Sequence, residues 1–206
     1  MTTDSKKKTT HIFCIMGKSS CGKDTIFRRL TGDESLGLTK LVTYTTRPIR
    51  AGETEGIEYH FTDSAGEAAL EAAGKIIEKR TYHTVAGPWD YFTADDGQVE
   101  EGGNYIIIAT IESFVKLRDF YSNCAVCPIY IYVEDGERLA RALARERQQE
   151  KPRYAELCRR FLADSEDFSD EKLAAAGITE ADSYENIDLA RTTAEIAERI
   201  RKTSET

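Results

Sequence analysis

An α/β fold, with a parallel sheet flanked by helices and interrupted by a small β-rich insertion, is what this sequence predicts. Three observations predict it. A short apolar run, "HIFCIM" (11–16), passes through a glycine loop straight into a helical pattern, "DTIFRRL", which is strand, turn and helix in immediate succession. Two further runs, "NYIIIAT" (104–110) and "AVCPIYIYV" (125–133), are almost continuously apolar, as strands covered on both faces must be. Between these and the first strand, residues 47–93 lack the long helices that parallel strands need as crossovers, so they read as an insertion.

Each element follows in order. Residues 1–9 lie in "MTTDSKKKTT", which is polar and has no apolar stretch before a cleavage site, and read as a frayed tail, not a signal peptide. The core opens at residue 10 with the strand, loop and helix, and "KLVTYTT" (40–46) reads as its second strand. The insertion then runs through "IEYHFT", a small helix "SAGEAALEAAG", and the strand patterns "KIIEKRTYH" and "DYFT". From residue 94 the core resumes and continues to 206, with the helix "IESFVKLRDFY" between its two central strands. Glu134 to Asp170 is helical and arginine-rich, interrupted at Pro152, and a brief "SYENI" precedes an amphipathic helix that runs to about Lys202. No internal repeat or low-complexity linker interrupts the chain.

Composition bounds the chemistry. With 206 residues, 40% hydrophobic and 31% charged, the chain reads as a soluble globular domain. Its longest apolar runs, such as "YIIIA" (105–109), are too short to span a bilayer. A net charge of −8 gives no general attraction to nucleic acid or anionic membrane. Five cysteines, an odd and scattered set, point to a reducing compartment and hence the cytoplasm. Cys124 and Cys127 form a lone C-x-x-C with no second pair, and His11, His60 and His83 are dispersed. A metal held by protein ligands alone is therefore not expected.

The glycine loop is the strongest local motif. Gly17, Gly22 and Lys23 satisfy G-x-x-x-x-G-K. Its glycines allow successive N–H groups to face an anion, and the helix that follows adds its positive end. Ser19, Ser20 and Cys21 complete the cradle, and Lys23 can reach the β- and γ-phosphates of a nucleotide. Cys21, near a helix N-terminus, is expected to be acidified. Asp24 is the anomaly, since loops of this kind put a serine or threonine hydroxyl there for magnesium; Thr25 follows it.

Together with this loop, "TYTTRPIRAGETEGIEYHF" (43–61) closely resembles the guanylate kinase family, which carries T-T-R-x-x-R-x-G-E-x-x-G-x-x-Y after its second strand. The likeness extends to "IIEKRTYH" (76–83), "DYFT" (90–93), the arginine-rich segment after Val133 and "ENIDL" (185–189). It implies a P-loop kinase fold in three parts: a parallel β-sheet core, a small mixed β subdomain binding a nucleoside monophosphate at 47–93, and a helical lid at about 137–165. It implies transfer of the γ-phosphoryl group of ATP to GMP with Mg2+, small-molecule nucleotides as partners, and a monomer or homodimer.

The resemblance also assigns residues. Arg47 and Arg50 would grip the acceptor phosphate through planar forks, with Tyr59 and Tyr91 as neutral donors beside it. Glu78 would accept the side-by-side N1–H and N2–H of guanine, a pair that adenine lacks. Thr43 and Thr93 match hydroxyl positions near the base, although "YHTVAGPWDYFT" (82–93) is longer than the family's segment there. Arg138, Arg141 and Arg145 share a helix face, which is either a solvated face with Glu134, Glu137 and Glu146 or part of the lid. As lid residues, Arg141, Arg145 and Arg160 are the implied phosphate contacts, with Arg159 an alternative to Arg160. Asn186 matches an asparagine near the donor adenine or serves a plain turn.

The resemblance suggests an explanation for Asp24. The family usually has aspartates where this chain reads "IIIATIES" (106–113), with Thr110. The expectation is an exchange, in which Asp24 supplies the magnesium oxygen while Thr25 or Thr110 makes the neutral contact. Two alternatives stay open. Ribose bisphosphate kinases also carry G-K-D, so the acceptor could be ribose 1,5-bisphosphate or a different nucleoside monophosphate. Non-catalytic scaffold domains keep the arginine–tyrosine block but usually degrade the loop.

Overall fold

A computed structural model describes residues 8–84 and 87–205. In chain order these form β1 (His11–Met16), α1 (Lys23–Thr31), β2 (Leu38–Lys40), β3 (Tyr44–Thr45), β4 (His60–Phe61), α2 (Ser64–Ala72), β5 (Ile76–Thr84) and β6 (Gly87–Ala94). They continue with β7 (Asn104–Ile108), α3 (Ile111–Phe120), β8 (Ala125–Tyr132), α4 (Asp135–Arg147), α5 (Tyr154–Asp167), α6 (Asp170–Ala175), β9 (Ser183–Glu185) and α7 (Leu189–Ser204).

The core sheet runs β2-β7-β1-β8-β9, with every pair parallel. All six residues of β1 are buried, and they alternate between two apolar layers. Ile12, Cys14 and Met16 join Ile107, Phe114 and Leu117 on one face. Phe13 and Ile15 join Ile26, Leu30, Ile196 and Ile200 on the other. A strand's side chains alternate in this way, so β1 stitches α3 on one side to α1 and α7 on the other. Full burial of such side chains stabilises by about 1.5–3 kcal/mol each.

The insertion makes its own sheet, ordered β4-β3-β6-β5. Here β3 pairs parallel with β4 and antiparallel with β6, and β5 and β6 form a long antiparallel hairpin.

The strand expected over 40–46 is divided between the two sheets. β2 ends at Lys40, and Tyr44–Thr45 belongs to the second sheet. At the crossing, the Gln98 side chain replaces a neighbouring strand: its Oε1 accepts from Val42 N (2.8 Å) and its Nε2 donates to Val42 O (3.0 Å). A side-chain amide thus satisfies the backbone groups that a continuous ladder would have paired. The helical stretch expected from Glu134 to Asp170 with a break at Pro152 is α4 and α5, which are separated around that proline, and α6 follows from Asp170; Glu134 caps α4 by accepting from Gly136 N and Glu137 N, and Ser169 caps α6. The loop after β1 and the crossing after β2 both leave the carboxyl edge of the core sheet, where open parallel sheets bind ligands.

Candidate active site

The loop between β1 and α1 is held from beneath. A Cβ at Gly17 would meet Ile131 O at 2.2 Å, so only glycine allows this approach to β8. Gly22 sits at φ +91° as the N-cap of α1, and a Cβ there would meet Asn186 Nδ2 at 2.3 Å. Asn186 is buried, and its Nδ2 donates to Cys21 O (2.8 Å). Its side chain thus braces the loop's backbone. Its Oδ1 is buried without a partner. Cys21 also departs from expectation: the side chain is fully buried, and burial pushes its thiol up instead of acidifying it. Only the backbone of Cys21 can serve an anion.

The helices α4 and α5 bend over this loop. Arg145 Nη2 donates to Ser20 Oγ (3.1 Å), and Arg160 Nη2 donates to Ser19 Oγ (3.2 Å). Arg159 instead pairs with Glu156 in the exposed part of α5, so of the two neighbours Arg160 is the one that reaches the loop. Arg141 pairs with Glu137 and donates to Asn186 O (3.3 Å). Asp164 went unmarked in the sequence, and Arg138 was placed on the shared helix face without a role of its own. Arg138 is 1% exposed, its Cζ lies 3.9 Å from the Phe161 ring centroid, and it pairs with Asp135 (3.0 Å) and Asp164 (3.5 Å). Asp164 Oδ2 accepts from Ser19 N at 2.8 Å, so a carboxylate sits on an amide of the loop. The spacing from Asp135 to Arg138, i to i+3, was a legible signal for the first pair. No local pattern announced Asp164, whose partner is 145 residues away.

A cleft of about 870 Å3 gathers Ser19 and Ser20 of the loop, Arg50 of the insertion and Arg138, Arg145 and Arg160 of the overhanging helices. Lys23 lies at the start of α1, with Asp24 Oδ2 3.9 Å from its Nζ. The Asp24 carboxylate is 72% exposed, so it is open to a hydrated cation, and Thr25 follows it in the same turn. Magnesium needs only one or two protein carboxylates, so this donor set fits it. Thr110 does not belong to that set. Its hydroxyl caps α3, accepting from Ser113 N (3.1 Å) and bonding Ser113 Oγ (3.0 Å).

The insertion presents a second cluster. Arg47 is 3% exposed, and its two Nη atoms donate to the Glu53 carboxylate at 2.7 and 2.6 Å. The guanidinium lies 5.0 Å from the Tyr59 ring centroid and 5.3 Å from that of Phe61, and its Nε is buried without a partner. This pairing holds the Glu53 carboxyl down at about 2. Tyr59 meets Tyr91 edge-on at 5.6 Å, and burial pushes its phenol up, which keeps it a neutral donor. Thr43 stands at the crossing into this sheet, where its carbonyl accepts from His60 N (2.9 Å).

The lengthened 82–93 segment is part of the β5–β6 hairpin, of which Val85 and Ala86 lie outside the described residues. The hairpin register sets Glu78 opposite Thr93 and Arg80 opposite Tyr91. Thr93 Oγ1 donates to Glu78 Oε1 (2.8 Å), and Glu78 is buried. Arg80, also unmarked in the sequence, donates from Nε to Glu78 Oε2 (3.1 Å) and from Nη2 to Oε1 (3.4 Å).

Comparisons with known proteins converge. The family model described as guanylate kinase matches residues 9–87. A guanylate kinase of Symbiobacterium thermophilum is 30% identical over 90% of this chain and 82% of its own length. That of Mycoplasma pneumoniae is 30% identical over 57% of this chain, and the match spans about half (49%) of that relative. That of Bdellovibrio bacteriovorus is 36% identical, but over only 40% of its length. The crystal structure of guanylate kinase from Anaplasma phagocytophilum superposes with a TM-score of 0.66 at 19% identity, covering 97% of this chain and 89% of that one; at that identity the likeness is one of fold.

Proposed function

The chain belongs to the guanylate kinase family, and from that membership we propose that it transfers the γ-phosphoryl group of ATP in line to the phosphate of GMP, giving ADP and GDP. The observation that carries this reading is the shared cleft, in which the glycine loop, Arg50 and the arginines of α4 and α5 face one another. Donor phosphates belong at the loop, whose amides and helix end favour negative charge. The acceptor phosphate belongs at Arg50, with Arg47, Tyr59 and Tyr91 arranged behind it. Guanine belongs at Glu78 and Thr93, with Thr43 at the crossing beside that sheet.

Phosphoryl transfer of this kind needs positioning and charge neutralisation more than a protein nucleophile. Lys23 serves the donor phosphates, and Arg145 and Arg160 exchange their serine contacts for phosphate oxygens. Arg141 anchors α4 against the carbonyl of Asn186 and keeps that row aligned. Asp164 must leave Ser19 N when phosphates enter, because like charges at such range repel. The same movement lets α4 and α5 close over the cleft and exclude water from the reacting phosphates. Asp24 and Thr25 would hold Mg2+, which neutralises phosphate charge when bound.

The test is phosphoryl transfer from ATP with Mg2+ across GMP, dGMP, AMP, IMP, UMP, CMP and ribose 1,5-bisphosphate. Strong preference for GMP is expected. Preference for ribose 1,5-bisphosphate or a pyrimidine nucleotide would overturn the assignment of Glu78 to guanine.

A further inference from the structure

Arg80 presents to Glu78 the same chemical group that guanine would. In guanine, N1–H and N2–H are two donors on one carbon; in arginine, Nε–H and Nη2–H are two donors on Cζ. Arg80 bridges both oxygens of the Glu78 carboxylate with that pair, at 3.1 and 3.4 Å. Bridging uses the edge of the carboxylate along which two parallel donors align. A carboxylate offers about four lone-pair directions; Arg80 takes two, and Thr93 Oγ1 takes a third at 2.8 Å. The one left cannot receive a two-donor base.

We propose that Arg80 is a built-in competitor for the guanine position, an affinity-setting residue that GMP must displace from Glu78. This rests on the GMP reading above. The two residues lie two apart on β5, hence on one face of the strand, so contact is their local default. Displacement has somewhere to go. Arg80 borders a cavity of about 580 Å3 that Glu112 and Asp167 also line; Asp167 is paired with Lys172 (3.6 Å), so the exposed Glu112 is the carboxylate that can receive the released guanidinium. Glu78 remains neutralised until the base arrives, so a buried carboxylate is never left bare.

A site available only in a minor open state binds with an affinity reduced by the open fraction. Removing the competitor therefore strengthens binding, whereas removing a residue that helped to hold guanine would weaken it. The experiment is calorimetric titration of GMP into the full chain and into Arg80→Lys and Arg80→Met at pH 8. Lysine keeps a positive charge beside Glu78 but loses the paired fork. Both variants are expected to bind GMP roughly tenfold more tightly than the unaltered chain. Unchanged or weaker binding in Arg80→Lys would overturn the proposal while leaving GMP as acceptor. GMP binding to neither the unaltered chain nor Arg80→Lys would overturn the acceptor reading and the proposal with it.

Discussion

The loop after β1 and the hairpin of the insertion solve the same problem, holding a ligand's polar groups, by different means. The loop is shaped by backbone: Gly17 against Ile131 O, Gly22 at a positive φ, and Asn186 fastened to Cys21 O. The hairpin and the segment between β3 and β4 beside it are shaped by side-chain charge, with Arg80 on Glu78 in the first and Arg47 locked on Glu53 in the second. A backbone site is set by sterics and tolerates changes of charge around it, whereas a charge-paired site is tuned by each partner and by pH. That difference can be broken or sharpened by substitution.

The largest effect is expected at Lys23, the side chain proposed to serve the donor phosphates. Lys23→Met should lower the transfer rate by about 10²–10³-fold, with the thermal midpoint little changed because, among the described residues, the ion-pair contact of Lys23 is a 3.9 Å approach to Asp24. On the other side of the comparison, Glu78→Gln replaces one acceptor oxygen with a donor. It should lower kcat/KM for GMP by about 10²-fold, read by phosphoryl transfer from ATP, while kcat for ATP hydrolysis in the absence of acceptor stays unchanged.

Gly22→Ala tests how far the loop depends on backbone. The new methyl would fall at φ +91° and on Asn186 Nδ2, so a loss of about 1–2 kcal/mol in denaturant unfolding is expected, together with weakened ATP binding. Glu53→Gln tests the charged side. Its pairing holds the carboxyl at about 2 against an ordinary 4.5. A depressed carboxyl contributes stability above the ordinary value and loses it as pH falls through the folded one. The gap in thermal midpoint between the unaltered chain and Glu53→Gln should be full above pH 4.5 and narrow toward pH 2. The smallest effect is expected from Asp24→Ser, which restores the usual hydroxyl: a several-fold rise in the Mg2+ concentration needed for half-maximal rate. An unchanged Mg2+ requirement would remove Asp24 from the metal's surroundings.

The same contrast explains what was legible in the sequence. Gly17, Gly22 and Lys23 were readable because steric demands fix residue type at fixed spacing. The apolar runs gave the core strands for a similar reason, since burial on both faces leaves few choices. The 40–46 run misled because its β-forming residues suit either sheet, and the break between them is made by Gln98, more than fifty residues away. Arg145 and Arg160 were marked and reach the loop, but Arg138, buried on Phe161, looked no different from its neighbours. Its burial depends on a second helix whose position no local pattern gives. Arg80 was within reach of reasoning, since Glu-x-Arg on a strand puts both residues on one face, but the guanine-like character of the pair emerges only once Glu78 is seen with its lone pairs taken.

The bond from Asn186 to Cys21 spans 165 residues. The glycine loop leaves the ribosome well before the turn that supplies its underside. Contacts of such separation form late, because the intervening chain must be ordered before they are made. Competence to hold a nucleotide is therefore coupled to completion of the whole core, and a chain interrupted before β9 would carry an intact motif in a loop that has lost its footing. Nucleotide binding in this protein doubles as a readout of finished folding.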